Sequence, residues 1–250
     1  MSFRNFAHKF NKYFWFDKTE LNGFLITVFV LAFILSFTDW GVEKFDAIEG
    51  FSNLFLAVIV IAISVFIHHA AQRLLALYYG FRAEHILWWQ GLAFAGLFAI
   101  FSNGKIKFLP GSALMIHHMP IHRLGFYRYG PKFSTFGTIA LTGPLANLVF
   151  AVLVRIVGDT IFPGYVFFYN LYYFNLVFAA YNFLPFPPLD GSRVMYESRL
   201  VYVFIFTAVV SYILLALLAG ITGLLGAILS LIAAFICWIV FYIFFEREWS

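Results

Sequence analysis

The sequence holds one cysteine, Cys237, in 250 residues, and Asp, Glu, Lys and Arg together make up only 11% of it. A single cysteine excludes an internal disulfide framework and a cysteine-only zinc site. Cys237 stands in an apolar run, where it is expected to serve as a small hydrophobe. Soluble globular domains carry roughly 25% charged residues, so the shortage of charge excludes water as the main solvent of this chain. No long linker and no internal repeat of about 20–50 residues interrupts it, which points to one domain. The first 20 residues also lack the apolar core and small-residue cleavage site of a signal peptide. Arg4, Lys9, Lys12 and Lys18 lie there among aromatic residues. The expectation is a cytoplasmic arm over 1–20 and a single membrane-embedded domain over 21–250.

What is abundant is apolar and aromatic: 63% of residues are hydrophobic, with 35 Phe, 14 Tyr and 6 Trp, and the mean hydropathy is +0.89. A helix needs about 20 apolar residues to cross the hydrocarbon. Spans are predicted at Leu21–Phe37, Phe51–Ala71, Phe133–Val157, Tyr165–Leu184, Val201–Ala219 and Leu224–Phe245. The fold class expected is an all-α polytopic membrane protein. It has about six transmembrane helices and a membrane-associated re-entrant hairpin formed by the additional apolar run Ile86–Ser102.

The hairpin reading rests on charge, because Lys and Arg stay preferentially in cytoplasmic loops. Lys105, Lys107, Arg123, Arg128 and Lys132 follow the run and Arg73 and Arg82 precede it, so both of its ends are expected on the cytoplasmic side. The loop Thr38–Gly50 has Lys44 against Asp39, Glu43, Asp46 and Glu49, and is expected outside. Gly91, Gly96 and Gly104 suit a bend, and the alternation Lys105-Ile106-Lys107-Phe108 suits a strand. A seventh full helix is the alternative. Six spans put both termini in the cytoplasm. The net charge of +4 then sets topology, and no motif points to nucleic acid.

Ionisable groups inside a membrane cost several kcal/mol unless paired or hydrated, so each is a functional candidate. His68 and His69 follow the apolar stretch Phe51–Ile67. Asn182-Phe-Leu-Pro-Phe-Pro-Pro-Leu-Asp190-Gly191 follows the fourth span, with prolines that break the helix and set Asp190 on a turn at the same side. A helical histidine and a distant aspartate placed in this way can share a metal ion or a hydrogen bond. His117, His118 and His122 lie in a basic loop and read as surface or headgroup residues. Arg155 and Asp159, four apart, read as an ion pair. Asn147 and Asn175 read as bridges between helices or as groove lining.

Three ordered segments make the chain resemble the site-2 protease family of intramembrane zinc metalloproteases. Phe66 to Arg73 stands where that family has His-Glu-x-x-His. Gly143-Pro144-Leu-Ala-Asn147 is similar to its Gly-Pro-x-x-Asn segment. Asn182 to Gly191 is similar to its Asn-x-x-Pro-x-x-Pro-Leu-Asp-Gly motif. The resemblance covers roughly Phe51–Gly191. It implies that His68 and Asp190 keep the first and third zinc-ligand positions, while Gln72 replaces the second histidine and His69 replaces the catalytic glutamate. Asn147, Asn182, Pro144 and Pro188 then line a groove for a substrate or partner.

Loss of a general base alone removes roughly 10²- to 10⁴-fold of rate, and a neutral amide is a poor zinc ligand. The expectation is a pseudoprotease without zinc, acting as a binding or scaffold subunit for a transmembrane partner in a membrane complex within the lipid bilayer, in a prokaryotic plasma membrane. Its metal-free core would be a hydrogen-bond network of His68, His69, Gln72 and Asp190. The enzymatic alternative is an active zinc metallopeptidase with an altered ligand set, His68, His69 and Asp190. A transporter is a third class, weakened by the single Pro-rich helix break.

Overall fold

A computed structural model describes residues 3–41, 45–119 and 133–247. They form a mostly helical bundle of α1 (Phe3–Tyr13), α2 (Lys18–Leu35), α3 (Ala47–Tyr79), β1 (Phe81–Ile86), α4 (Trp89–Phe101), β2 (Ala113–His118), α5 (Phe133–Thr160), α6 (Val166–Asn182), α7 (Asp190–Glu197), α8 (Arg199–Leu218) and α9 (Gly223–Phe241). Among the described residues five helices, α2, α3, α5, α8 and α9, are long and apolar enough to cross a bilayer, so this is a multi-pass integral membrane protein. The fourth expected span falls on α6, a shorter helix of 17 residues. Large aromatic residues are exposed toward both ends of the bundle. Trp15, Tyr78, Trp89 and Tyr196 mark one end; Phe45, Phe51, Phe101 and Tyr165 mark the other. Such rings tolerate the water–lipid boundary better than aliphatic chains do.

α3 is the axis of the fold. Asp46 starts it by accepting from the Ile48 and Glu49 amides, and Gly80, at φ 90°, ends it in the left-handed cap that glycine adopts without strain. It therefore runs eight residues past the expected end at Ala71, because the polar residues beyond Ala71 find buried partners in other elements. α5 packs antiparallel to it, with Ala140 beside Gln72 and Asn147 beside Ser64. α6 returns alongside, with Asn175 reaching Ser64.

The run Ile86–Ser102 starts beside Gly23 and ends at the far end of the bundle, so its two ends do not share one side, and the chain comes back only over the residues that follow it. β1 and β2 pair antiparallel, Ile86 opposite Ala113 and Phe81 opposite His118, so the chain returns to its starting level after α4. Three expectations are corrected here. Gly91 and Gly96 lie within α4, and the bend is the turn after it, where Asn103 and Gly104 take φ 52° and 75°. The strand is Ala113–His118 and not Lys105–Phe108, which has no ladder partner. Lys105 and Lys107 lie at the end of the bundle opposite Arg73: the Lys107 ammonium donates to the Leu35 carbonyl at 2.6 Å, and Gly104 packs on Phe37 and Thr38. A cation there satisfies one of the orphan carbonyls at the C-terminus of α2. Charge counting takes 103–132 as one loop, whereas its first residues and β2 sit at different levels.

α2 starts with a capping box, Asp17 and Glu20 bonding each other's backbone amides at its first turn. The expected boundary between arm and domain, after residue 20, falls inside this helix. Glu20 also meets Arg73 at 2.5 Å, both buried, and accepts from the His85 amide at 3.0 Å. Arg73 donates further to the carbonyls of Phe14 and Trp15. One buried ion pair thus ties together the arm, α2, α3 and β1.

The loop from α6 to α7 is held as tightly. Tyr202 donates to the Phe183 carbonyl at 3.0 Å, and a Cβ on Gly191 would lie 2.0 Å from that same oxygen. Because the obstacle is backbone, Gly191→Ala is expected to cost about 2 kcal/mol or more, read as a lowered midpoint of unfolding in SDS.

Candidate functional site

The polar centre is built where α3, α5, α6, α7 and the hairpin meet. His68, His69, Gln72 and Asp190 are each no more than 3% exposed. His68 Nε2 lies 2.9 Å from Asp190 Oδ2, and His68 Nδ1 lies 2.8 Å from Asn147 Oδ1. The two polar segments, 122 residues apart, therefore converge.

The network fixes the tautomer. Asn147 Nδ2 donates to the Ser64 carbonyl and to Asn175 Oδ1, and Asn175 Nδ2 donates to Ser64 Oγ and the Leu171 carbonyl. Asn147 must then offer its oxygen to His68, so Nδ1 carries the hydrogen and Nε2 faces the carboxylate. Asn147→Leu removes three interhelical bonds and orphans the Nδ1–H. At roughly 0.6 kcal/mol per membrane hydrogen bond, plus the orphan, the expected loss is about 2 kcal/mol in an SDS unfolding titration.

Pro144 gives Gln72 its place. Proline has no N–H to return to the carbonyl four residues earlier, and that free carbonyl, Ala140, accepts from Gln72 Nε2 at 3.0 Å. Gly143 lets α5 approach: a Cβ there would lie 2.5 Å from His68 Nε2 and 2.6 Å from Gln72 Nε2. The other end of the amide, Gln72 Oε1, accepts from His85 Nε2 at 2.8 Å.

His69 looks toward the hairpin. Its Nε2 is 2.7 Å from Ser112 Oγ, and its ring stacks on His85, centroids 3.6 Å apart at 17°. Gln72 and His69 thus fasten both arms of the hairpin to α3, through His85 on β1 and Ser112 just before β2.

No family model and no solved structure matches the chain. It is 24% identical over 204 residues to a Methanocaldococcus jannaschii protein named "Putative zinc metalloprotease", a match covering 80% of this chain and 96% of that one. The chain is distantly related to a metalloprotease-like protein.

A catalytic zinc takes three protein donors and keeps a fourth position open. Among the described residues no three His, Cys, Asp or Glu side chains converge on one point. His68 and Asp190 supply two donors. Gln72 has both ends of its amide bonded elsewhere, and His69 gives Nε2 to Ser112 while its Nδ1, like that of His85, is buried without a partner among the described residues and converges with no other donor pair there. These residues do not fit a catalytic zinc as they stand.

Of the other expected residues, Asn182 donates to the Phe178 carbonyl and presses on Gly111, while Pro188 follows Pro187 through a cis bond in the loop that delivers Asp190. Arg155 and Asp159 pair at 2.7 Å. His117 meets Glu84 at 3.1 Å on the sheet surface; His122, Arg123, Arg128 and Lys132, like Glu43 and Lys44, lie outside the described residues. His85, Ser112, Ser64 and Glu20 were not singled out in the sequence. His85 carried a usable signal, since it shares the inward phase of a strand with Phe81 and Ala83. Ser112 carried none.

Proposed function

We propose that this protein is a membrane-embedded pseudoprotease of the site-2 type, in which the peptidase centre has become a hydrogen-bonded core, and that it acts by binding a transmembrane partner within a membrane assembly. The observation that carries the reading is the use of Gln72 and His69. The two positions at which a zinc peptidase needs a ligand and a base are spent on His85 and Ser112. A buried polar network of this kind rigidifies a bundle without any metal, because each polar group in a bilayer must find a partner. Six crossings, with α6 as the sixth, and both termini in the cytoplasm of a prokaryotic cell complete the proposal.

The relative's name favours a second reading, an active zinc metallopeptidase, which requires His69 to leave Ser112 and join His68 and Asp190. Purified protein, analysed for zinc and incubated with a single-span substrate, separates the two. The pseudoprotease reading expects substoichiometric zinc and no cleavage product. Chelator-sensitive turnover that disappears in Asp190→Ala would overturn it.

A further inference from the structure

Away from the polar site, α1 turns Phe6, Phe10 and Tyr13 onto a cluster with Phe14, Leu77 and Met119. Its other face exposes His8, Asn11 and Lys12, and Trp15, in the bend just after the helix, is 65% exposed. Before Glu20 the chain carries Arg4, Lys9, Lys12 and Lys18 against one acid, Asp17, whose carboxylate is occupied in capping α2. Among the described residues no carboxylate pairs with Lys9, Lys12 or Lys18. Burial pushes the Lys9 ammonium below its ordinary range, and an anion beside it would offset that loss of solvation.

The position of α1 is fixed. Arg73 holds the Phe14 and Trp15 carbonyls, and the apolar helix α2 begins at Lys18, so α1 lies within a few residues of the depth at which the chain enters the hydrocarbon. An amphipathic helix there, with Lys12 on its free face, Lys9 half-buried beside it, and Trp15 and Lys18 exposed just beyond its end, matches the chemistry of a headgroup layer and not that of an apolar partner. We propose that the free face of α1, continued by Trp15 and Lys18, binds the phosphates of anionic phospholipids.

The test uses the full chain in nanodiscs of phosphatidylcholine alone or mixed with phosphatidylglycerol. Amide hydrogen exchange over α1 is expected to slow when phosphatidylglycerol is present, and the effect to vanish at high salt. The triple variant Lys9→Gln/Lys12→Gln/Lys18→Gln should lose the effect while unfolding normally. Retention of phosphatidylglycerol over phosphatidylcholine on purification should fall roughly fivefold for each lysine removed. Equal exchange in the two lipids, or protection that survives in the triple variant, would overturn the proposal. Neither outcome depends on whether the protein binds zinc.

Discussion

Glu20→Ala is expected to destabilise the protein by about 3–5 kcal/mol, the usual cost of leaving one member of a buried ion pair uncompensated. Arg73 is 2% exposed and lies with its guanidinium 4.4 Å from the Phe16 ring centroid, so it has no route to water without moving the arm. Its bonds to Phe14 and Trp15 offset part of the loss, which favours the lower half of that range. The variant also orphans the His85 amide. Replacing both partners, Glu20→Leu with Arg73→Met, should recover most of the stability, since an apolar pair of similar volume avoids the desolvation of two charges. A double-mutant cycle in SDS unfolding measures this. A single variant within about 0.5 kcal/mol of the parent would mean that the pair is solvated and does not anchor the arm.

The second large effect concerns the metal. If the pseudoprotease reading holds, Gln72→His is expected to raise zinc binding from substoichiometric to stoichiometric. The surrounding partners suit the change. A metal-binding imidazole is normally oriented by donating its second nitrogen to a carbonyl or amide oxygen. His68 already donates to Asn147, and the Ala140 carbonyl, freed by Pro144, stands ready for a histidine at 72. Loss of such an outer partner alone typically costs 10–100-fold in affinity, so gaining a third direct donor should raise zinc affinity by at least about two orders of magnitude. Isothermal titration with zinc, comparing the parent with Gln72→His and Gln72→His/Asn147→Leu, reads the result. Equal, weak binding by parent and Gln72→His would mean that His85 and the hairpin occupy the space the metal needs. Peptide cleavage is expected only after His69→Glu is added, since base removal alone is worth roughly 10²- to 10⁴-fold.

The membrane architecture was legible in the sequence because it follows from length and apolarity, which act locally. The convergence of His68 with Asp190 was legible because helix breaks and span ends place both segments at one level. The ion pair of Arg155 and Asp159 followed from helical spacing alone. By contrast, charge counting alone marks Arg73 only as a topology signal and Lys105 and Lys107 as part of a one-sided loop, and alternation alone puts the strand eight residues too early. Arg73 and Lys107 have partners distant in the chain, and the strand is fixed by its pairing with β1.

By itself, then, the order of amino acids determined that this chain dissolves in a bilayer as a helical bundle, and that the His68–His69 segment and the Asp190 segment would meet, with His68 singled out by the resemblance of the motifs. Only the tertiary structure decided what Gln72 and His69 do. A hydrogen bond is specified by both partners, and here the partners, His85, Ser112 and the Pro144-freed carbonyl of Ala140, reach α3 from a hairpin and a helix that sequence spacing does not register.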